Sequence, residues 1–264
     1  MWEILKNRWR QKYRTGTFPP REPLPERFRG RPVFHPEKCV DGCRACHDVC
    51  PSEAIGLEPL TLDLGRCLFC QECVLACPEG AITYSQDYRM AVRERGDLIL
   101  TGEELKLATA LDKKMRKLFG RSLKLREVCA GSCNGCDLEL QALNNVVFDL
   151  GRFGIQFVAS PRHADGLVVT GPVTKNMELA LKKTYEAVPD PKIVIAVGAC
   201  AINGGPFEGS PEVNNGADTV LPVDLYIPGC PPHPLTILDG LLRLLGRIEL
   251  RNHPGDSRGR ASPV

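Results

Sequence analysis

The chain has 264 residues, 43% of them hydrophobic, and a formal net charge of only +2. That length admits one large domain or two ordinary ones, and the near-neutral charge gives no general argument for nucleic acid or for an acidic partner. The unusual number is 13 cysteines. An oxidised, secreted chain needs an export signal, but the opening MWEILKNRWRQKYR is basic and lacks an apolar run of that kind. The most apolar segment, KIVIAVGACAI, is too short to cross a bilayer. The expected setting is the reducing cytosol, where clustered cysteines usually bind metal.

In chain order, residues 1–30 form a basic, proline-rich arm and linker. Trp2, Ile4, Leu5 and Trp9 fit one face of a short helix with Lys6, Arg8, Arg10 and Lys12 around it, which suits either a membrane surface or the flank of a partner subunit. TFPPREPLPERFRGRP reads as an extended linker. Residues 31–90 hold an internal repeat, CRACHDVCPSEAI and CLFCQECVLACPEGAI. Residues 91–127 lack cysteine and are highly charged; they are expected to be a connector with one helix over GEELKLATALDKKMRKLF, capped by Thr101. From 128 to 250, the short apolar runs GIQFV, GLVVT, KIVIAVG and PVDLYI alternate with helical segments such as NMELALKKTYEAV. That alternation predicts a parallel sheet covered on both faces. PLTILDGLLRLLGRIEL has an apolar stripe that should pack on the sheet. Residues 251–264, polar and small, are expected to be a disordered tail.

Residues 67–78 spell C-x2-C-x2-C-x3-C-P, the run by which bacterial ferredoxins hold [4Fe–4S] clusters. Closely spaced thiolates wrap three corners of one cubane, the fourth cysteine serves the other cluster, and proline then bends the chain. The first half reads Cys39, Cys43, Cys46, Cys50, Pro51, with a wider opening gap, VDG, that Gly42 can absorb in a turn. Crosswise pairing groups Cys39, Cys43, Cys46 and Cys77 at one site and Cys67, Cys70, Cys73 and Cys50 at another. A [3Fe–4S] cluster at the first site, and zinc or structural thiols throughout, are the alternatives.

In CAGSCNGCDLEL, Cys133 and Cys136 have metal-ligand spacing but lack two further ligands. Only Cys200 and Cys230 lie downstream, each just past a predicted strand. Open parallel sheets form sites outside the carboxyl ends of their strands, so Cys133, Cys136, Cys200 and Cys230 can converge on one edge. The flanking glycines and prolines in GAC and PGCPP let backbone approach a bulky guest. A cubane suits this set, with zinc as the alternative. Cys129 is read as a free thiol beside it.

FRGRPVF, LDLGRCLFCQECVLACPEGAI and YSQDYRMAV resemble the two-cluster ferredoxin subunit of formate hydrogenlyase and hydrogenase-4 complexes. GSCNGCDLE, RFGIQFVASPRHADGLVVTGPVTKNM, PDPKIVIAVGACAINGG and PVDLYIPGCPPHP resemble the small subunit of group 4 [NiFe]-hydrogenases, itself similar to the complex I subunit that carries the terminal [4Fe–4S] cluster. The likeness covers residues 28–248, as though the two proteins were fused. It implies an α+β two-cluster ferredoxin domain followed by an α/β flavodoxin-like domain with a parallel sheet. It also implies a [4Fe–4S] cluster on Cys133, Cys136, Cys200 and Cys230, and so three [4Fe–4S] clusters in line. Complex I has two adjacent cysteines where this chain has Cys133-Asn-Gly-Cys136, and the C-x2-C form favours the hydrogenase side.

The resemblance implies an oxidoreductase complex subunit with no catalytic residue of its own. It would pass electrons to or from a [NiFe] large subunit that evolves or oxidises H2; the alternative is a complex I-like NADH/ferredoxin:quinone oxidoreductase subunit. Implied partners are that hydrogenase-like or quinone-reductase-like large subunit, the membrane subunits of the complex, and an electron-donor subunit or ferredoxin. The implied place is peripheral, on the cytoplasmic side of the cell membrane. Glu139 is read as a proton relay or an interface carboxylate, Arg162 and His163 as a positive pair near the last cluster or as turn residues, and His47 as a surface residue.

Overall fold

The computed structural model describes residues 1–11, 15–102, 105–120 and 122–248. The first helix, α1 (Trp2–Gln11), leaves Trp2, Ile4, Leu5 and Trp9 exposed. The cysteine repeat then folds as two matching halves. They comprise β1 (Pro32–Phe34), α2 (Ala45–Asp48), β2 (Ile55–Leu57), β3 (Leu60–Asp63), α3 (Glu72–Ala76) and β4 (Ile82–Tyr84). β1 pairs antiparallel with β4, and β2 with β3. Each half ends its Cys-Pro turn with a left-handed residue, Glu53 at φ 49 and Gly80 at φ 60. That turn aims the Ala54 and Ala81 amides at the Cys50 and Cys77 sulfurs, 3.3 and 3.2 Å away.

The segment expected as a connector is built into the body of the protein. Val92 bridges to Tyr226, and β5 (Ile99–Leu100) pairs with β3. The helix expected over 102–119 is confined to α4 (Lys113–Phe119), and its cap is Asp112, whose carboxylate accepts from the Met115 amide at 2.9 Å, rather than Thr101. Leu105, Ala108 and Leu111 recur every third residue, which mimics a helical stripe, but their backbone lies outside helix and strand. Tertiary bonds hold it there: the Ala108 amide reaches the Ala91 carbonyl at 2.7 Å, and the Leu111 amide reaches that of Leu244 at 2.9 Å.

β6 (Leu123–Cys129) also begins inside the expected connector. Its charges hid it, yet Leu123 and Leu125 are fully buried. The chain continues with α5 (Gly135–Ala142), β7 (Ile155–Phe157), β8 (Gly166–Thr170), α6 (Lys175–Ala187), β9 (Ile193–Val197), α7 (Ala199–Asn203), β10 (Leu225–Ile227) and α8 (Pro234–Leu244). The sheet order is β10-β9-β8-β6-β7, parallel throughout. Counted within the domain this is 2-1-3-4-5, the flavodoxin-like order, as expected. β8, β9 and β10 are buried at every position because both faces are covered.

On one face a single core runs from Leu64 and Leu98 of the ferredoxin part, through Val92 and Tyr226, to Leu167, Val169 and Leu181. On the other, Phe119, Leu140, Ile237 and Leu241 close the sheet. The two cysteine-bearing parts therefore share one packed interior, which fixes their thiols relative to each other. The expected tail, 251–264, lies outside the described residues. Among the described residues no helix is long and apolar enough to cross a membrane.

Candidate metal centres

All 13 cysteines are free thiols. Twelve of them fall into three groups of four. Cys39, Cys43, Cys46 and Cys77 line one cavity, with Gly42 in the expected turn at φ 74. Burial raises the Cys46 thiol, the His47 amide lowers it, and the charges of Cys39 and Cys77 raise it again.

In the second group, burial pushes Cys67 up to about 12, against the pull of the Phe69 amide and the Tyr84 hydroxyl; the charges of Cys73 and Cys50 add to the rise. Cys73 is pushed up to about 11 by burial and then by Cys50, Cys70 and Cys46. Cys73 thus feels Cys46 of the first group. Tyr84, set against Cys67 at 4.0 Å, was missed at the level of sequence, because nothing local to it marks a contact 17 residues away.

The third group forms at the carboxyl ends of β6, β9 and β10. Asp137 pins the CNGC loop to the end of β8: its carboxylate accepts from Thr170 Oγ1 at 2.7 Å and from the Ser132 hydroxyl. The Gly198 amide donates to Ile227 and the Ala199 amide to Gly229, both at 2.9 Å, which ties the Cys200 and Cys230 segments together. Burial raises Cys136, followed by the charges of Cys200, Cys230 and Cys133. Cys200 is pushed up to about 11 by burial, then by Cys230 and Cys133. Cys230 is raised by burial, by Cys133 and by Cys70 of the second group. The glycines form a close cradle, since a Cβ on Gly198 would lie 2.4 Å from Cys136 Sγ and one on Gly205 2.7 Å from Cys200 Sγ.

The donor sets suit iron–sulfur chemistry. Each is all-thiol, and backbone amides already point at Cys50, Cys67 and Cys77. Among the described residues no three His, Cys, Asp or Glu side chains close around a point as one metal ion requires. Thiols raised this far must release protons when they take metal, so loading favours higher pH.

A family profile described as "4Fe-4S dicluster domain" matches residues 38–81, and one described as "NADH ubiquinone oxidoreductase, 20 Kd subunit" matches residues 133–244. The probable membrane-bound hydrogenase subunit mbhJ of Pyrococcus furiosus is 49% identical over 132 residues, 50% of this chain and 79% of that protein. The chain belongs to the 20 Kd subunit family. An NADH-quinone oxidoreductase subunit of Bacteroides thetaiotaomicron is 45% identical over 52% of this chain and 70% of its own length. Formate hydrogenlyase subunit 7 of Escherichia coli is 45% identical over 53% of this chain, which spans only 56% of it. In this 20 Kd family member a dicluster ferredoxin part precedes the family domain in the same chain.

The other expected residues separate clearly. Glu139 is half-buried, is raised by burial, and lines a cleft with Cys230 and Phe69. Arg162 and His163 sit exposed on a turn before the amino end of β8, at the opposite end of the strands from the cysteines, so the turn reading holds and the positive-pair reading does not. His47 Nδ1 bonds the Ile55 carbonyl at 2.7 Å. Cys129 is exposed, 3.2 Å from the Ser132 hydroxyl.

Sequence reasoning passed over Glu127, which couples to Asp137. Burial, the hydrogen bond with Asp137 and that residue's charge push the Glu127 carboxyl up to about 7, against Arg126. Burial also raises Asp137, but the bonds from Ser132, Thr170 and Glu127 outweigh it and hold that carboxyl low. The shared proton therefore resides on Glu127. Its folded pKa lies above the unfolded one, so its stabilising contribution is complete below about 4.3 and is lost as pH rises through neutrality. Glu127→Gln is expected to flatten the loss of stability between about pH 5 and 8. Denaturant melts across that range check this, and an unchanged slope rules out the shared proton.

Proposed function

We propose that the chain is an electron-transfer subunit of a membrane-associated oxidoreductase complex, passing electrons through three [4Fe–4S] clusters to or from a [NiFe] large subunit. Cys39, Cys43, Cys46 and Cys77 would hold the first, Cys67, Cys70, Cys73 and Cys50 the second, and Cys133, Cys136, Cys200 and Cys230 the third. Bound clusters would supply one-electron carriers. The chain's own residues space them, shield them and aim their amides at the ligand sulfurs. The observation that carries this reading is the continuity of the thiol sets: Cys46, Cys67 and Cys73 belong to one packed core, and Cys230 shares a cleft with Phe69, the residue before Cys70, so that Cys73 feels Cys46 and Cys230 feels Cys70. Exposed Cys133 and Cys230, with half-buried Glu139, leave the third set open toward a partner surface.

The spacing Cys133-x2-Cys136 supports the hydrogenase partner. The second reading, a quinone-linked complex I-like subunit, draws on the NADH-quinone oxidoreductase relative. Electrons would enter from a donor subunit or ferredoxin at the first site. Peripheral attachment to the cytoplasmic membrane face would come from membrane subunits, aided by α1, whose exposed Trp2, Leu5 and Trp9 lie among Lys6, Arg8 and Arg10.

The test is metal and sulfide analysis of the native complex, recovered through this chain from the membrane fraction without oxygen. About twelve iron and as many acid-labile sulfides per chain are expected, with stoichiometric nickel in the complex. Full iron without nickel selects the quinone-linked reading. Zinc without sulfide ends the redox reading, and recovery in the soluble fraction alone ends the membrane assignment.

A further inference from the structure

Arg29, in the linker, grips the second thiol set. Its Nη1 donates to the Phe69 carbonyl at 2.6 Å, and Phe69 directly precedes Cys70. Phe69 is left-handed at φ 54, and Gln71, just past Cys70, is at φ 77. Bulky L-residues avoid that region. The first repeat places Gly42, at φ 74, in the same position directly before Cys43, where no side chain opposes the turn. The second repeat makes the same turn with phenylalanine, and a guanidinium from another segment holds its carbonyl. With the carbonyl so held, the Phe69 amide donates to Cys67 Sγ at 3.3 Å.

Arg29 is itself well anchored. The next two amides, Gly30 and Arg31, donate to the Ser85 and Asp87 carbonyls at 3.0 and 2.8 Å. The chain passes so close there that a Cβ on Gly30 would lie 2.4 Å from the Asp87 carbonyl oxygen. On the other side, the Phe28 ring meets His233 edge-on at 5.2 Å. Arg29, Phe69 and Cys230 line one cleft, so the linker crosses where the second thiol set faces the third.

We propose that Arg29 is a positioning residue that sets the redox potential of the cluster on Cys50, Cys67, Cys70 and Cys73; this rests on the electron-transfer reading above. It acts in two ways. It fixes the Phe69 amide on a ligand sulfur, and it adds a positive charge beside that loop. Each favours the more negative, reduced state of the cluster and so raises its potential. Arg29 as a whole is exposed, so its charge effect falls with salt, whereas the amide effect does not. The potential at this position governs the direction of transfer across the Cys70–Cys230 gap.

Redox titrations followed by EPR, on the full-length chain in its complex, test the assignment. Arg29→Gln should keep full iron and sulfide, move the midpoint of this cluster to lower potential, and leave the cluster on Cys39, Cys43, Cys46 and Cys77 unmoved. Arg29→Lys keeps the charge but not the planar fork, and should lower the midpoint by less. An R29Q midpoint equal to wild type with full iron overturns the inference. If R29Q loses iron at this site, R29K decides, and an unmoved midpoint there overturns it equally. Wild-type protein without cluster signals overturns the electron-transfer reading instead.

Discussion

If Cys133, Cys136, Cys200 and Cys230 hold a cluster as proposed, Gly198→Ala is expected to abolish it while sparing those proposed on the other two thiol sets. The position is doubly constrained. Its φ is 88, which an L-residue adopts only under strain, and its missing Cβ leaves room for Cys136 Sγ at 2.4 Å. The obstructing atom is the ligand sulfur itself, on α5, whose buried start is pinned by Asp137 to β8. The added methyl has no flexible neighbour to displace and must push the sulfur out of its set. Iron should fall from about twelve to about eight per chain. On the proposed electron-transfer role, delivery to a partner should be lost with that carrier. Iron, sulfide and EPR of the variant check this. Twelve iron with a normal third signal would show that Cys136 Sγ can shift past the methyl, and would overturn this steric argument.

Short-range features were the legible ones. Ligand spacing such as C-x2-C-x2-C-x3-C is written in adjacent residues, and the structure brings the thiols together in the groups that this spacing and the strand ends imply. The apolar runs of β8, β9 and β10 were equally plain, since burial on both faces leaves no charges to interrupt them. β6 was hidden because Lys124, Arg126 and Glu127 break its apolar run, although it pairs on both sides. The residues 105–112 misled in the other direction: a period of three fits a helix and an anchored extended segment alike. Arg162 and His163 show a further limit. Closeness along the chain to a β-strand does not say which end of the strand carries the site. Gly198 and Arg29 act through contacts made at long range, so only the folded chain reveals them.

Asp239→Ala is expected to cost about 3–5 kcal/mol of stability, the range for stranding one member of a buried ion pair. Asp239 and Arg243 lie one turn apart on α8, with side chains 3% and 4% exposed, and join Oδ2 to Nε at 2.6 Å. Burial raises the Asp239 carboxyl, and the Arg243 bond draws it back down. Tyr88 and Arg89 of the ferredoxin part lie within electrostatic reach of Asp239, so the pair sits at the seam between the two cysteine-bearing parts. Arg243 Nη1 is already buried without a partner, and removing the carboxylate would leave the whole cation uncompensated. Replacing both residues by apolar ones of similar volume should recover most of the loss, because the desolvation of two charges nearly cancels their attraction. Denaturant melts of the single and double variants separate these terms. A single-variant loss below about 1 kcal/mol would mean that water reaches Arg243. Full recovery in the double variant would show that the seam needs a filled, charge-balanced interior rather than this ion pair.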